Sequence, residues 1–582
     1  MKKTYLIVAF TLLLSATLFS KEKEITIKIV ETSDVHGSFF PYDFITRRDV
    51  GGSLARAMTF VKNLREEYGK NVLLLDNGDI LQGQPVCYYY NYVVPEKTNI
   101  VAKVINYMGY DAQTVGNHDI ETGHDVYDKW IGETQCPMLG ANIVNTATGK
   151  PYVAPYTIIE RDGVRIAVIG MLTPAIPNWL NEELWSGLRF DEMTSTARRW
   201  VKHVKEVEKA DVVIGLFHSG KEGGITTDEY EEDASLRVAK EVEGFDLILF
   251  GHDHTPFADT IISDKGQPVV CLDPANAARN LAVATIKLKI KTQRKGKVKV
   301  LSKNVCGELV DIRKIDIDHE YMNTFKDDIT EVKSFTEQVI GRFETNIYSR
   351  DCFFGSAPFT DIIHDQQMEM ADADVSFTAP LSFNATLKKG DIRVGDMFNL
   401  YKFENRIYML RMTGEEIRKH LEMSYDLWVN TMTSPDDHIM MIDTRTVNDN
   451  QRTGFKNMTF NFDSAVGIDY EVDVTKPDGE KVNIIRMSNG KKFEKDKWYK
   501  VVMNSYRVNG GGELLTKGVG LSKEEIERRI IWKSERDQRY YLIERIKREK
   551  TITPTAHNNW RFVPEDWAKP AIERDKKILF GR

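Results

Sequence analysis

Four short apolar runs in the first half of the chain each end in ionisable or small polar residues, and this repetition constrains the fold more than any other feature. Ile25, Ile27 and Ile29 alternate with polar residues and lead to Asp34-Val35-His36. Residues 72–75 lead to Asp76-Asn77-Gly78-Asp79, residues 212–217 to His218-Ser219-Gly220, and residues 247–250 to Gly251-His252-Asp253-His254. A fifth polar loop, Thr114-Val115-Gly116-Asn117-His118-Asp119-Ile120-Glu121-Thr122-Gly123, follows a helix-like stretch at 98–108, and another such stretch occupies 53–68. Strands alternating with helices, with polar residues on the exit side of each strand, predict a layered α/β domain whose site gathers at one end of its sheets.

The loop residues suit metal-assisted phosphate chemistry. The amide oxygen of Asn117 is a neutral ligand for a divalent cation, whereas His118, next along the chain, cannot easily reach the same ion and is free to meet a substrate oxygen. Asp34, His36, Asp79, Asn117, His218, His252 and His254 could form two adjoining metal sites. Asp79 is the candidate bridge, since each carboxylate oxygen can bind one cation. Oxygen and imidazole ligands without thiolate fit zinc, manganese, iron(II) or cobalt. A lone loop histidine is ordinarily structural. Of the 12 histidines, however, His36, His118, His218, His252 and His254 all fall in strand-exit loops, His124 trails the Asn117 loop and could support it, and the other six read as surface or packing residues.

With 582 residues, 42% of them apolar, the chain is too long for a single core. Its net charge of -7 provides no basic footprint for long nucleic acid, which leaves small nucleotides as partners, and no obligate protein partner is evident. Residues 1–20 carry Lys2, Lys3 and an apolar segment from Tyr5 to Phe19, the layout of a secretory signal. That segment is shorter than the roughly 20 residues of a spanning helix, so the expectation is a secreted or periplasmic protein with no stable membrane anchor after cleavage. The five cysteines lie far apart and form neither a disulfide framework nor a thiolate zinc site.

The expected organisation is a first domain at 21–320, a helical connector at 321–343 within the polar stretch 316–343, a second, mixed α/β substrate-binding domain at 344–550, and a tail at 551–582 strapped on its surface. Residues 281–290 and 297–301, joined by a basic turn at 291–296, read as a hairpin closing the first domain. In the second half, residues 408–412 and 499–503 read as strands, and Thr413 caps a helix over 414–423. Ser522-Lys523-Glu524-Glu525 is a capping box that opens a charged helix reaching about Lys550.

In this order and spacing, the five blocks resemble the calcineurin-type metallophosphoesterase pattern, which implies a layered α/β-β-α domain. The resemblance extends to the 5'-nucleotidase and 2',3'-cyclic phosphodiesterase family through residues 399–408 (Asn399 to Tyr408), Met412-Thr413-Gly414-Glu415-Glu416 and residues 504–512 (Asn504 to Gly512). It implies that Asp34, His36, Asp79 and His254 hold one metal and that Asp79, Asn117, His218 and His252 hold the other. It also implies a base clamp from Phe403 and Tyr506, because two aromatic faces can stack a base of any identity. Asn117 would then serve both metal and substrate. Two departures stand out. Glu121 replaces the aspartate that often partners the catalytic histidine, and residues 379–386 (Ala379 to Thr386) replace a Gly-Gly-x-Arg segment. The second departure is closer to the cyclic phosphodiesterase and 3'-nucleotidase branch.

The chemistry this implies is in-line displacement at phosphorus, with two divalent metal ions activating water and steadying the developing charge. His118 would assist the departing oxygen, and Glu121 would orient His118. The alternatives are a 5'-nucleotidase, an exported nucleotide-binding protein with a degenerate site, and a metal-dependent thiohydrolase on the same architecture.

Overall fold

The computed structural model describes residues 22–293, 297–447 and 450–581. The expected signal segment at 1–20 lies outside these residues, as do residues 294–296 of the basic turn. Among the described residues no helix is long and apolar enough to cross a membrane.

Two six-stranded sheets make the first domain. In the first sheet Glu22–Thr32 is central, parallel to Val72–Asp76 and antiparallel to Asn280–Thr292, and Ala112–Thr114 and Met138–Leu139 extend the parallel side. In the second, Val164–Leu172, Val212–His218, Leu247–Phe250 and Pro268–Asp273 run parallel in that order. Strand periodicity sorts their side chains between layers. Ile25, Ile27, Ile29, Leu73 and Leu75 from one sheet meet Ile166, Val168, Ile214 and Leu216 from the other in a core between the sheets. The residues between them point outward. Val30, Val72 and Leu74 pack on the helices Leu54–Tyr68 and Ile100–Met108, while Ala167, Ile169 and Val213 pack on Met193–Glu206. The result is the expected α/β-β-α layering, and it brings the exit ends of both sheets to one edge.

The hairpin Asn280–Thr292 with Val298–Asp311 forms the outer side of the first sheet. Of the polar stretch that follows, His319–Thr324 and Lys326–Thr336 are helices, and Tyr321, Phe325 and Val332 enter the first domain's core. The stretch is not helical throughout, because Val339–Phe343 is a strand paired with Gly390–Arg393.

The second domain is mixed α/β around a five-stranded sheet, in which Arg406–Thr413 pairs with Trp498–Asn504 and with Ile530–Asp537. Thr413 caps Gly414–Trp428 through a reciprocal box with Glu416. The charged helix expected to continue to Lys550 does not. It stops after Lys523–Arg529, and Ile530–Asp537 is a strand with Ile530, Trp532 and Ser534 turned inward, before Asp537 caps a second helix, Gln538–Glu549. Strand pairing and an apolar period of two outweigh the helical composition here. The tail is also more than a strap. Trp560–Val563 pairs with Ile468–Asp473, Glu565–Phe580 is a helix, and Trp560 and Phe562 are buried in the second core.

Beneath the cleft between the domains, the buried Arg507 guanidinium meets both oxygens of Asp463 at 2.8 and 2.9 Å, and Asp463 also takes His420 Nε2 at 2.9 Å. Removing one partner of such a pair strands a buried charge. Arg507→Met is therefore expected to destabilise the second domain by about 3–5 kcal/mol, read as a lower urea midpoint; an unchanged midpoint would show that the pair does not support the fold.

Candidate active site

Three of the polar blocks turn sharply as they leave their strands. Asp34, His36, Asp79, His252 and His254 hold φ between 48° and 87°, a left-handed backbone that side chains with a Cβ rarely adopt and that clusters at functional loops. Close backbone packing joins two of the loops. A Cβ on Gly116 would lie 2.1 Å from Asp79 Oδ1, and one on Gly78 would lie 2.4 Å from the Gly116 nitrogen. Asp119 fastens the same loops: its Oδ2 accepts from the backbone N–H of Asp79 (2.9 Å) and Gly116 (2.8 Å), and its Oδ1 from Ile80 (2.9 Å) and Leu81 (2.8 Å).

The structure brings all seven candidate ligands together in two adjoining groups. Asp34 Oδ1 lies 3.2 Å from His254 Nε2 and 4.0 Å from His36 Nε2, and the two imidazole nitrogens are 3.1 Å apart. Asp79 Oδ2 lies 3.3 Å from His218 Nε2 and 3.9 Å from His36 Nε2, so one carboxylate faces both groups. His218 Nε2 is also 3.0 Å from Asn117 Oδ1, and the His252 ring is 5.3 Å from that of His218. Asp34, His36 and His254, and separately Asp79, His218 and His252, each offer donor atoms close enough to share an ion.

Hydrogen bonds around the cluster settle which ring nitrogens are free. His36 Nδ1 is 3.1 Å from the Gln82 carbonyl and His218 Nδ1 is 2.6 Å from the Asn77 carbonyl. A carbonyl only accepts, so both Nδ1 atoms donate and both Nε2 lone pairs face the cluster. His252 Nε2 likewise donates to Glu232 at 3.1 Å, which leaves Nδ1. The His218 lone pair thus points at the Asp79 carboxylate and the Asn117 amide oxygen, the His36 lone pair faces His254 Nε2 with both carboxylates about 4 Å away, and Asp34 Oδ1 is buried without a hydrogen bond. Such an array of acceptors is balanced by cations, and the residues present fit two divalent ions. Burial pushes His36 down to about 3, which keeps it a neutral ligand.

His118 stands beside the cluster, its ring 5.5 Å from that of His36, and its Nδ1 meets Glu121 Oε2 at 2.6 Å. Burial disfavours its imidazolium, yet Asp79 and Glu121 raise it to about 9. His118 and Glu121 line a cavity of about 850 Å³ between the domains, with Phe403 and Tyr506 on the side of the second domain. The Phe403 ring runs parallel to that of His118 at 6.3 Å, and the Tyr506 ring meets Phe460 edge-on at 6.0 Å.

The sequence reading missed several residues here. Phe460 and Trp179 line the cavity, Trp179 lies 5.7 Å from the His252 ring, and Glu232 and Gln82 hold ring nitrogens. Only Gln82 carried a usable signal, its place three residues after Asp79. His124, read as a possible support of the Asn117 loop, instead bonds Asp128 and the Ser186 carbonyl, away from the cluster.

The family model described as calcineurin-like phosphoesterase matches residues 27–256, and the one described as 5'-nucleotidase, C-terminal domain matches residues 339–517. The Bacillus subtilis trifunctional nucleotide phosphoesterase protein YfkN is 27% identical over 94% of this chain, which spans 39% of that protein's length. The Haemophilus influenzae 2',3'-cyclic-nucleotide 2'-phosphodiesterase/3'-nucleotidase is 27% identical over 95% of this chain and 90% of its own. A solved Staphylococcus aureus structure shares the fold with a TM-score of 0.73 at 21% identity, covering 92% of this chain and 99% of that one.

Asp119→Asn replaces an oxygen acceptor with an amide donor facing backbone N–H groups. The variant is expected to lose about 1–3 kcal/mol of stability and to retain less divalent metal, read by thermal melting and metal analysis. A variant with unaltered melting temperature and metal content would show that the two loops hold without this carboxylate.

Proposed function

We propose that this chain, which joins a calcineurin-like phosphoesterase domain to a 5'-nucleotidase C-terminal domain, is an exported hydrolase of nucleotide phosphate esters. Its preferred substrates are 2',3'-cyclic nucleotides and 3'-nucleotides, with 5'-nucleotides as a further class. The observation that carries this reading is the placement of His118 between the seven-residue donor cluster and the Phe403 ring, inside a cavity that both domains line. The relative named as a 2',3'-cyclic phosphodiesterase/3'-nucleotidase, matched over 90% of its length, supports the branch, as does the absence of a Gly-Gly-x-Arg segment at 379–386. Export rests on the signal-like residues 1–20.

Asp34, His36, Asp79 and His254 would hold one divalent ion, and Asp79, Asn117, His218 and His252 the other, with zinc, manganese, iron and cobalt as the candidates. When bound, the ions supply Lewis acidity toward the phosphoryl oxygens and make water a stronger nucleophile. Glu121 accepts the hydrogen bond of His118 Nδ1–H, fixing the ring so that its Nε2–H faces the leaving oxygen and delivers its proton there. Phe403 and Tyr506 stack the base in the cavity that both domains line.

His118→Ala is expected to keep both metals and to slow nucleotide turnover by roughly 100- to 10,000-fold, with a smaller loss for 4-nitrophenyl phosphate, whose leaving group needs no proton. Loss of metal in that variant would make His118 a ligand instead. Phe403→Ala or Tyr506→Ala should cost about 1–3 kcal/mol of nucleotide binding, seen mainly in KM. A panel of 5'-, 3'- and 2',3'-cyclic nucleotides with the metal-loaded protein tests the branch: rapid cleavage of 5'-AMP with 2',3'-cyclic AMP left intact would overturn it.

A further inference from the structure

We infer that Gln82 and Glu404 form a positioning link through which the second domain orients the His118–Glu121 pair. The inference rests on the catalytic role proposed for His118, but the link itself is visible in the hydrogen bonding. The Gln82 side chain is buried, 6% exposed, and its Nε2 lies 3.0 Å from Glu121 Oε2 and 2.6 Å from Glu404 Oε2. An amide nitrogen carries two hydrogens, and here each meets one carboxylate oxygen; the amide oxygen could serve neither, so the carboxamide has one workable orientation. The Glu121 oxygen that takes Gln82 is the one that takes His118 Nδ1 at 2.6 Å. The backbone carbonyl of Gln82 holds His36 Nδ1 at 3.1 Å. A single residue therefore touches the metal cluster, the catalytic pair and the second domain.

The far end of the link is rigid. Glu404 follows Phe403 in the chain, so whatever fixes Glu404 also limits where the Phe403 ring can lie against His118. Arg539 holds Glu404 Oε1 at 2.8 Å and donates to the Tyr401 and Lys402 carbonyls, with its guanidinium 3.9 Å from the Phe398 ring centre. Arg539 is itself fully buried near the start of the helix Gln538–Glu549. Without the Gln82 N–H groups, Glu121 and Glu404 would face each other as two acceptors in a buried space. Glu121 would then be pushed off the position that aligns His118.

The test uses the full chain loaded with metal, Gln82→Met to remove both donors at similar length, and Glu404→Ala to remove the second domain's end. Two substrates are compared: a nucleoside 3'-monophosphate, whose departing ribose oxygen needs a proton, and 4-nitrophenyl phosphate, which does not. Gln82→Met is expected to lower kcat for the nucleotide about 10- to 100-fold with KM little changed, and to lose less on the aryl ester. In a His118→Ala background the same change should add no further loss, since the link acts only through that ring. Glu404→Ala should repeat this pattern, and it carries the test if Gln82→Met does not fold. Equal losses on both substrates, full additivity with His118→Ala, or fewer bound metal ions would each overturn the link. An unaltered protein inactive on both substrates would instead overturn the functional reading, and the link with it.

Discussion

The site depends on one buried carboxylate that bonds only backbone N–H groups and no candidate metal ligand's side chain. Asp119 accepts four backbone N–H groups from two loops that leave different strands of the first sheet. Only a carboxylate offers enough lone pairs for this, since an amide of the same shape has one oxygen instead of two. Burial, with Asp79 nearby, raises its carboxyl to about 6, against the pull of those N–H groups. The arrangement sets where the Asp79 side chain emerges, with Oδ1 taking the His118 backbone N–H at 2.8 Å and Oδ2 facing both His218 and His36.

Beneath these loops the sheets act as rigid templates. Strands buried on both faces cannot slip in register without exposing apolar side chains, so each exit loop starts from a fixed point. The left-handed turns at Asp34, His36, Asp79, His252 and His254 are sustained because neighbouring loops and the strand ends over-determine them. Asp34 illustrates this: its Oδ2 accepts the His252 backbone N–H at 3.0 Å, which ties the exit of one sheet to the exit of the other.

Much of this was legible in the sequence because it is written locally. An apolar run of strand length followed by Asp, His or Asn places a polar group at a strand's exit, and four such places, with the Asn117 loop, outlined the layered fold and its cluster. What escaped depends on distant pairing. Asp119 reads in sequence as one more reactive acid in the Asn117 loop, and only the arrival of the 79–81 backbone makes it a clamp. Glu232, in the short strand Glu231–Asp233, and Trp179, in a turn, lie in stretches whose sequence holds no metal-like spacing. The stretch after Ser522 is rich in helix-forming charged residues, so its strand became visible only through the partner strand Arg406–Thr413. The tail misled for a similar reason: Trp560 and Phe562 are spaced as strand residues, but the core that takes them comes from residues about 90 positions earlier in the chain.

All seven donor residues belong to the first domain, whereas Phe403 and Tyr506 belong to the second. On the proposed reading, reaction and recognition are encoded in separable stretches of one gene product, an arrangement open to recombination. The Gln82 contact limits that freedom. A foreign recognition module grafted onto this catalytic half would have to bring its own acidic residue in the place of Glu404 and a buried cation in the place of Arg539. Modules lacking that pair would leave the reaction centre assembled but poorly aligned, so such chimaeras are best screened by turnover, because ligand affinity alone would miss the defect.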